Sequence, residues 1–214
     1  MNVTLAVIAC AVALMSPFQG VLRMKLAPVL VFTTAPNAAV PSAYRFQADR
    51  GGRKGQTMFV STASDVPKDT PGTMYRLIAS DKAGPLPDVD VLGIHYLKVK
   101  PERAADFERF VGDVLHPGVG NLRPDLRLLY YKAVSGPETG GYILIFGLTR
   151  ESRDKYWPGG ADSDELRTAF KPLRSVADAL LPYLVEGSAL TDEKFAARVF
   201  ESREWADFVL VPGR

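Results

Sequence analysis

The sequence has one cysteine, two histidines and almost no excess charge of either sign, and each scarcity excludes a class of protein. A single cysteine among 214 residues, Cys10, cannot form an internal disulfide or a multi-cysteine metal site. The 26 basic and 24 acidic residues give a formal net charge of +2 and interleave along the chain, so no basic stripe predicts nucleic-acid binding. No metal-ligand spacing and no cofactor motif is recognisable, and we therefore predict neither a metal nor a cofactor.

No apolar run is long enough to span a bilayer. Residues 3–15 are apolar but for one threonine, which is short of the ~20 residues of a membrane helix but within the ~7–15 of a signal-peptide core. A second candidate begins at Met24, where two basic residues flank the methionine ahead of the apolar residues 26–32. We predict an export signal within residues 1–43 and a secreted or periplasmic location. A buried apolar segment of a cytoplasmic protein is the alternative.

Residues 44–90 are polar and repeatedly broken by glycine and proline. Residues 51–55 predict a flexible basic turn, because they lack the preceding strand, the spacing and the following helix of a phosphate loop. Residues 57–61 and 74–79 alternate briefly and predict short edge strands. We predict a loop-rich arm or linker, so that the whole N-terminal region is disordered or loosely packed. In an alternative interpretation the arm holds a partner and becomes ordered only in the complex.

Residues 91–214 carry the strand and helix patterns of an α+β domain. Their order, β-α-β-β-α-(α)-β, predicts a ferredoxin-like βαββαβ antiparallel sheet with helices on one face and an extra short helix before the last strand. Residues 150–160 predict an aromatic loop. The predicted strands cover residues 91–100, 126–134, 142–148 and 207–212, and the predicted helices cover residues 101–115, 162–186 and 191–205.

The first of these strands is apolar at both parities. A strand of this kind is covered on both faces, whereas the helices of a small α+β domain cover only one face of its sheet. The simplest cover for the second face is another copy of the same sheet. We therefore predict a homodimer.

Residues 90–211 resemble the dimeric α+β barrel superfamily, and within it the NIPSNAP and antibiotic-biosynthesis-monooxygenase-like proteins. The resemblance rests on Ile-His-Tyr-Leu-Lys-Val-Lys-Pro at residues 94–101, on strand 142–148 and on the tail at residues 200–209. It implies that two sheets from two subunits face each other and close a barrel. Haem degradation, which in that superfamily depends on a histidine of the second helix, is not expected, since residues 162–186 contain none.

His95 and Tyr131 are the candidate catalytic residues. His95 lies in mid-strand, and a barrel-facing histidine could act as a general base; a half-buried histidine bonded to a neighbouring carbonyl is the alternative. The resemblance implies aromatic-substrate binding by Tyr131, His95 and Trp157 together, with core packing as the alternative. Arg127 could pair with an anionic ligand or extend from a sheet edge. His116 is predicted to interact with the carbonyls at the end of the first helix.

These observations favour a protein that binds a small molecule in a barrel cavity without catalysis. The alternative is a cofactor-independent monooxygenase that acts on an aromatic small molecule. The two hypotheses differ in whether His95 and Tyr131 face an enclosed cavity of ~300 Å³ or more.

Overall fold

The computed structural model describes residues 22–34, 43–62, 71–81, 83–115, 127–170, 179–185 and 205–212. Within these ranges the chain is mostly β-sheet with a few short helices, and the predicted α+β class is confirmed. The first export candidate (residues 3–15) and His116 lie outside the described residues. So does the short helix predicted at 191–205, except for Trp205, which begins a strand.

Eight strands close a single barrel within the chain. The strands described are β1 (Met24–Lys25), β2 (Val29–Thr33), β3 (Tyr44–Gly51), β4 (Thr57–Thr62), β5 (Thr73–Ser80), β6 (Asp88–Val89), β7 (Val91–Leu97), β8 (Arg127–Ser135), β9 (Tyr142–Leu148) and β10 (Trp205–Leu210). The order around the barrel is β10-β3-β4-β2-β5-β8-β9-β7, and every neighbouring pair is antiparallel. The other two strands, β1 and β6, form a separate ribbon.

The barrel consists of two halves with the same strand order. The N-terminal half follows β3-β4-β2-β5 and the C-terminal half follows β8-β9-β7-β10, so that each has the order second, third, first, fourth. Equivalent backbone bonds support the match: the Leu77 N–H donates to the Pro28 carbonyl and the Leu210 N–H to the Asp90 carbonyl, both at 2.8 Å. Strand direction alternates around a ring of eight, so equivalent strands run the same way. The rotation axis that relates the two halves therefore runs along the barrel axis.

A glycine stands at each of the two seams where the halves join, β3–β10 and β5–β8. Gly51 and Gly136 have φ values of 85° and 90°, in the left-handed region. A Cβ on Gly51 would lie 2.3 Å from the Trp205 carbonyl oxygen, and a Cβ on Gly136 would lie 2.0 Å from the Gly72 carbonyl oxygen. Because only glycine combines this conformation with so close a backbone approach, both seams depend on it.

The second face of the C-terminal sheet is covered by the N-terminal half of the same chain. Inward side chains of the C-terminal strands, such as Ile94 and Ile145, share one core with inward side chains of the N-terminal strands, such as Phe46 and Val60. All four are at most 1% exposed. A second sheet does cover this face, but it belongs to the chain itself. The homodimer was inferred from the need to cover this face, and the chain itself meets that need. The homodimer therefore stays a prediction without this argument.

Residues 44–90 contain β3, β4, β5 and β6, so the prediction of a loop-rich arm is wrong for the described part of this segment. Residues 57–61 and 74–79 do form strands, but β4 and β5 are paired on both sides and are not edges. In β3, Phe46 and Ala48 face the core while Arg45 and Gln47 are exposed. Such one-sided burial lowers the apolar content and gives the segment its loop-like composition.

The second export candidate, which begins at Met24, is part of the folded core. Met24, Leu26 and Leu30 are at most 3% exposed. Strand β2 is hydrogen-bonded to β4 on one side and to β5 on the other. Cleavage near residue 43 would remove a central strand, so the prediction of a loosely packed N-terminal region is wrong for residues 24–33.

The described helices lie on the outside of the C-terminal half. Phe107 and Val111 are fully buried against Tyr130, Tyr142 and Leu144 of β8 and β9. No helix of the described residues is long and apolar enough to cross a membrane. The helices are α1 (Ala104–Phe110), α2 (Arg150–Tyr156) and α3 (Asp164–Phe170), with single turns at Pro101–Arg103, Val111–Leu115, Pro158–Gly160 and Leu181–Tyr183.

Helix α2 occupies most of a segment predicted as loop. Thr149 caps it, since its side chain accepts a hydrogen bond from the Ser152 N–H and the Ser152 side chain accepts one from the Thr149 N–H. The helix buries Ser152, Arg153 and Tyr156. With only one apolar side chain among these three, it shows no apolar periodicity in the sequence.

Candidate functional site

One end of the barrel is sealed by the β1–β6 ribbon. Met24 pairs with Val89 across the ribbon, and the Leu26 N–H donates to the Pro87 carbonyl at 3.0 Å. Met24, Leu26 and Val89 belong to the core inside the barrel and are at most 3% exposed. The barrel therefore has the form of a cup, closed at this end.

Two equivalent hairpins form the rim of the opposite end. In the β3–β4 hairpin the Gly55 N–H donates to the Ala48 carbonyl at 2.7 Å, and in the β8–β9 hairpin the Gly140 N–H donates to the Ala133 carbonyl at 2.9 Å. The two glycines have φ values of 87° and 86°. Matching residues are 85 positions apart in the sequence, so the same turn is built twice on either side of the mouth.

A cavity of about 580 Å³ opens between these hairpins. This volume falls within the ~300–1,000 Å³ usual for small-molecule sites and satisfies the size predicted from the sequence. Both halves of the chain contribute, so the cavity requires the closed barrel. Its inner wall is formed by Phe32, Met58, Tyr75, Tyr96 and Phe208, and its rim includes Thr33, Thr34, Arg53, Gln56, Thr57, Thr73, Pro137 and Glu138.

Tyr75 is the most deeply buried polar side chain of the wall. It is 1% exposed, its ring centroid is 4.9 Å from that of Phe32, and its hydroxyl donates to the Glu138 carboxylate. Burial, reinforced by the hydrogen bond to Glu138, raises the pKa of Tyr75 far above its ordinary value. Tyr75 is therefore a neutral hydrogen-bond donor at any physiological pH.

Arg53 lies on the other side of the mouth. Its guanidinium carbon is 3.6 Å from the centroid of the Tyr96 ring, a cation–π contact worth ~0.5–2 kcal/mol. Tyr96 is 9% exposed and faces the interior of the barrel. Within the described residues no carboxylate lies within ion-pair distance of Arg53. One face of the guanidinium therefore lies against the Tyr96 ring, and its N–H donors lie along the edge of the guanidinium plane.

His95 faces away from the cavity. Its neighbours Ile94 and Tyr96 point into the barrel, so His95 points outward, where its ring centroid is 5.2 Å from Phe146 and 6.0 Å from Trp205. Burial lowers the pKa of His95 to about 3. A histidine with this pKa is neutral at physiological pH, but it cannot reach a ligand in the barrel.

The other predicted site residues also lie outside the cavity. Tyr131 points into the barrel, but its hydroxyl donates to the Ala27 carbonyl at 2.8 Å, at the sealed end. Trp157 lies on the outer face, with its ring 5.8 Å from Phe146. The predicted convergence of Tyr131, His95 and Trp157 is therefore wrong, because a sheet separates Tyr131 from the other two.

Arg127 is bound into a structural ion pair. Its Nε is 3.3 Å from Asp81 Oδ1, and its guanidinium donates to Ser80 Oγ at 2.8 Å. The two side chains are 12% and 4% exposed. Arg127 is thus ion-paired within its own chain at the start of β8 and does not line the cavity.

A second polar cluster lies on the outer face, where α2 packs against β3 and β10. Arg153 donates to Asp49 at 2.7 Å and to Asp154 at 3.1 Å. Asp207 is 4% exposed beside them, and burial raises its pKa to about 7 against the opposing effect of Arg153 and Arg50. Within the described residues no group of three or more His, Cys, Asp or Glu side chains is placed to hold a metal ion.

The residues that do face the cavity were missed for identifiable reasons. Arg53 lies in the segment 51–55, which predicts a flexible basic turn, and Glu138 lies between the predicted strands 126–134 and 142–148. The signal that would have paired them is Ala-x-x-Gly-x-x-x-Gly, which begins at Ala48 and recurs at Ala133. Tyr75 and Tyr96 lie in strands whose inward parity could not be assigned without knowing their partners.

Fold and site together define a single-chain α+β barrel with a ligand-sized cavity at one end. No protein-family model matches the chain, and no curated protein matches it in sequence. Among solved structures it is similar to a major regulator of staphylococcal pathogenesis, at 13% identity and a TM-score of 0.48, covering 87% of this chain and 99% of that chain.

Two further similar structures come from Listeria. One is a monooxygenase-like protein from Listeria innocua, at 12% identity and a TM-score of 0.47, covering 87% of this chain and 95% of that chain. The other, from Listeria monocytogenes, is an uncharacterized ferredoxin-fold protein related to antibiotic biosynthesis monooxygenases, at 15% identity and a TM-score of 0.41. It covers 69% of this chain and 86% of that chain.

Proposed function

We propose that the protein binds a small molecule with an apolar, ring-containing body in the cavity at the open end of the barrel. The observation that carries this proposal is the cup itself. Its far end is filled by Met24, Leu26 and Val89, while aromatic side chains line about 580 Å³ at the near end. Packed barrels of this size ordinarily fill their interior with side chains, so a retained cavity with aromatic walls indicates a ligand.

The wall chemistry sets the expected affinity. Burying one aromatic ring removes ~150–250 Å² from water, which at ~25 cal/mol per Å² contributes about 4–6 kcal/mol. Because association also costs translational and rotational freedom, this range is a ceiling, and a single-ring probe is expected to bind no more tightly than tens of micromolar. Larger apolar bodies that reach both Phe32 and Phe208 are expected to bind more tightly.

Binding without catalysis accounts for the site better than the monooxygenase alternative. That alternative required His95 as base with Tyr131 beside it, and neither lines the cavity. Among the described lining residues, the titratable groups other than Tyr75 are Tyr96, Glu138 and Arg53, and the raised pKa of Tyr75 excludes it as a base at neutral pH. The cavity therefore offers recognition groups and no evident nucleophile.

The test is a titration of a biphenyl alcohol, followed by ligand-observed NMR and calorimetry, against the parent and two variants. Gln56→Trp places an indole on the inward side of the rim, whereas Lys54→Trp places one on the exposed side of the same turn. We expect saturable binding to the parent and to Lys54→Trp, and an affinity at least tenfold lower for Gln56→Trp. Equal binding to all three proteins, or no saturable binding to the parent, would contradict the proposal.

A further inference from the structure

The two halves of the mouth are alike in backbone but opposite in charge. Arg53 and Glu138 each stand two residues after a seam glycine, in turns with matching hydrogen bonds. The same geometry therefore presents a cation on one side of the barrel axis and an anion on the other. A barrel made of two identical chains would carry the same residue at both positions.

The cation is arranged to receive an anionic group. One face of the Arg53 guanidinium is covered by the Tyr96 ring, and no described carboxylate pairs with it. Stacking leaves the planar edge with its N–H donors in reach of the cavity, and that edge matches a carboxylate in a bidentate geometry. The Tyr96 ring beneath also excludes water from one side of the pair.

The anion is arranged to receive a hydrogen-bond donor. Glu138 is exposed at the rim, and its Oε2 accepts the hydroxyl of the buried Tyr75. A carboxylate has about four lone-pair positions on two oxygens, so this bond holds the side chain in place and leaves the other oxygen to accept from a ligand. Tyr75 itself is sensitive to both charges, since Glu138 raises its pKa and Arg53 lowers it. Both groups therefore act at the same mouth.

We infer that the cavity takes a dipolar ligand whose apolar body carries an acidic group that binds Arg53 and, at its other end, an ammonium or hydroxyl group that donates to Glu138. This inference rests on the proposed function and adds the chemical class of the ligand. The charges at the mouth set the orientation, and the aromatic wall holds the body between them.

The test uses four matched biphenyl probes that differ only at their ends. One carries a carboxylate and an aminomethyl group at opposite ends, one the carboxylate alone, one the aminomethyl group alone, and one only a neutral methyl group. Affinities are measured by calorimetry for the parent, Arg53→Met and Glu138→Gln. Lys54→Met and Glu102→Gln, which remove exposed charges that do not line the cavity, are the controls.

We expect the parent to bind the doubly charged probe about tenfold or more tightly than the neutral probe, as hydrogen bonds to charged groups imply. Arg53→Met should abolish the advantage of the carboxylate, Glu138→Gln that of the aminomethyl group, and the controls should preserve both. Four affinities within threefold of one another, with binding still blocked by Gln56→Trp, would overturn this inference and leave the proposed function standing. Loss of the carboxylate advantage in Lys54→Met would likewise overturn it. Binding that Gln56→Trp does not block would overturn both.

Discussion

Asp207 and His95 lie on one outer face of the sheet, and we expect their effects on stability to oppose each other across the acid range. Burial raises the pKa of Asp207 to about 7 and lowers that of His95 to about 3. The groups that face Asp207 are Arg153 and Asp154 of α2 and the Asp49–Arg50 pair of β3. His95 lies between aromatic rings of β9 and β10.

The sign for each group follows from which state binds more protons. Between about pH 4 and pH 7 the folded state keeps the proton of Asp207 while the unfolded state loses it, so this group lowers stability as the pH rises. His95 behaves in the opposite way, because between about pH 6.5 and pH 3 only the unfolded state binds the extra proton. Each slope is ~1.4 kcal/mol per pH unit, and the two cancel between about pH 4 and pH 6.5.

Single substitutions should show how much each group contributes to the pH dependence of the free energy of unfolding. Asp207→Asn is expected to gain stability relative to the parent as the pH rises from 4 to 7, by about 4 kcal/mol in all. His95→Gln is expected to gain relative to the parent as the pH falls from 6.5 towards 3. Urea unfolding at half-unit pH steps, followed by tryptophan fluorescence, gives the differences directly.

The control for altered net charge is Asp154→Asn, which removes one formal charge from an exposed member of the same cluster. The reasoning would be refuted by a difference between Asp207→Asn and the parent that stays constant within ~0.5 kcal/mol from pH 4 to pH 8. That result would mean that Asp207 has the same protonation in the folded and the unfolded state.

Three further predictions concern the fold. Gly51→Ala should destabilise the protein by at least ~2 kcal/mol more than Gly55→Ala in urea unfolding, because both carry a positive φ but only a Cβ on Gly51 overlaps a facing strand. A chain beginning at residue 44 lacks β2 and should show no cooperative thermal transition, whereas the full chain should; a cooperative transition in the truncated chain would contradict the barrel. Arg127→Met should cost about 3 kcal/mol by removing the guanidinium beside the buried Asp81 carboxylate, should be rescued in part by Asp81→Leu, and should leave probe affinity unchanged; a loss of affinity at unchanged stability would restore the ligand role predicted from the sequence.

The C-terminal half was predictable because its patterns are redundant. Strand β9, without a charged residue, has the predicted bounds, and α1 lies within the helix predicted at residues 101–115. The uncovered face was predicted from a surplus of apolar side chains, and a second sheet does cover it. Its source was not predictable from the surplus itself, since a second subunit and a distant segment of the same chain satisfy the same requirement.

The predictions for the N-terminal half and for the site were wrong for a different reason. Strand β3 exposes one face, so its composition is that of a loop unless the alternation is followed residue by residue. Parity could not orient His95, because both faces of β7 are apolar and the inside is defined only by what packs there. The charged residues of the mouth lie in turns, where periodicity carries no information, and only the repeat of the turn itself marks them.

A barrel closed within one chain has a freedom that a barrel of two identical subunits lacks. Every equivalent position in a symmetric pair carries the same residue, so a charged group at the mouth would face its own copy, and like charges near one axis repel. Here Tyr75 corresponds to Phe208, two residues before the equivalent Leu77 and Leu210, and the turns carry opposite charges. The N-terminal half provides the Tyr75 hydroxyl that donates to Glu138 of the C-terminal half. The C-terminal half provides the Tyr96 ring that stacks on Arg53 of the N-terminal half. Joining the halves in one chain thus makes a polar axis across the mouth possible, and orientation of a bound molecule is the property that such an axis provides.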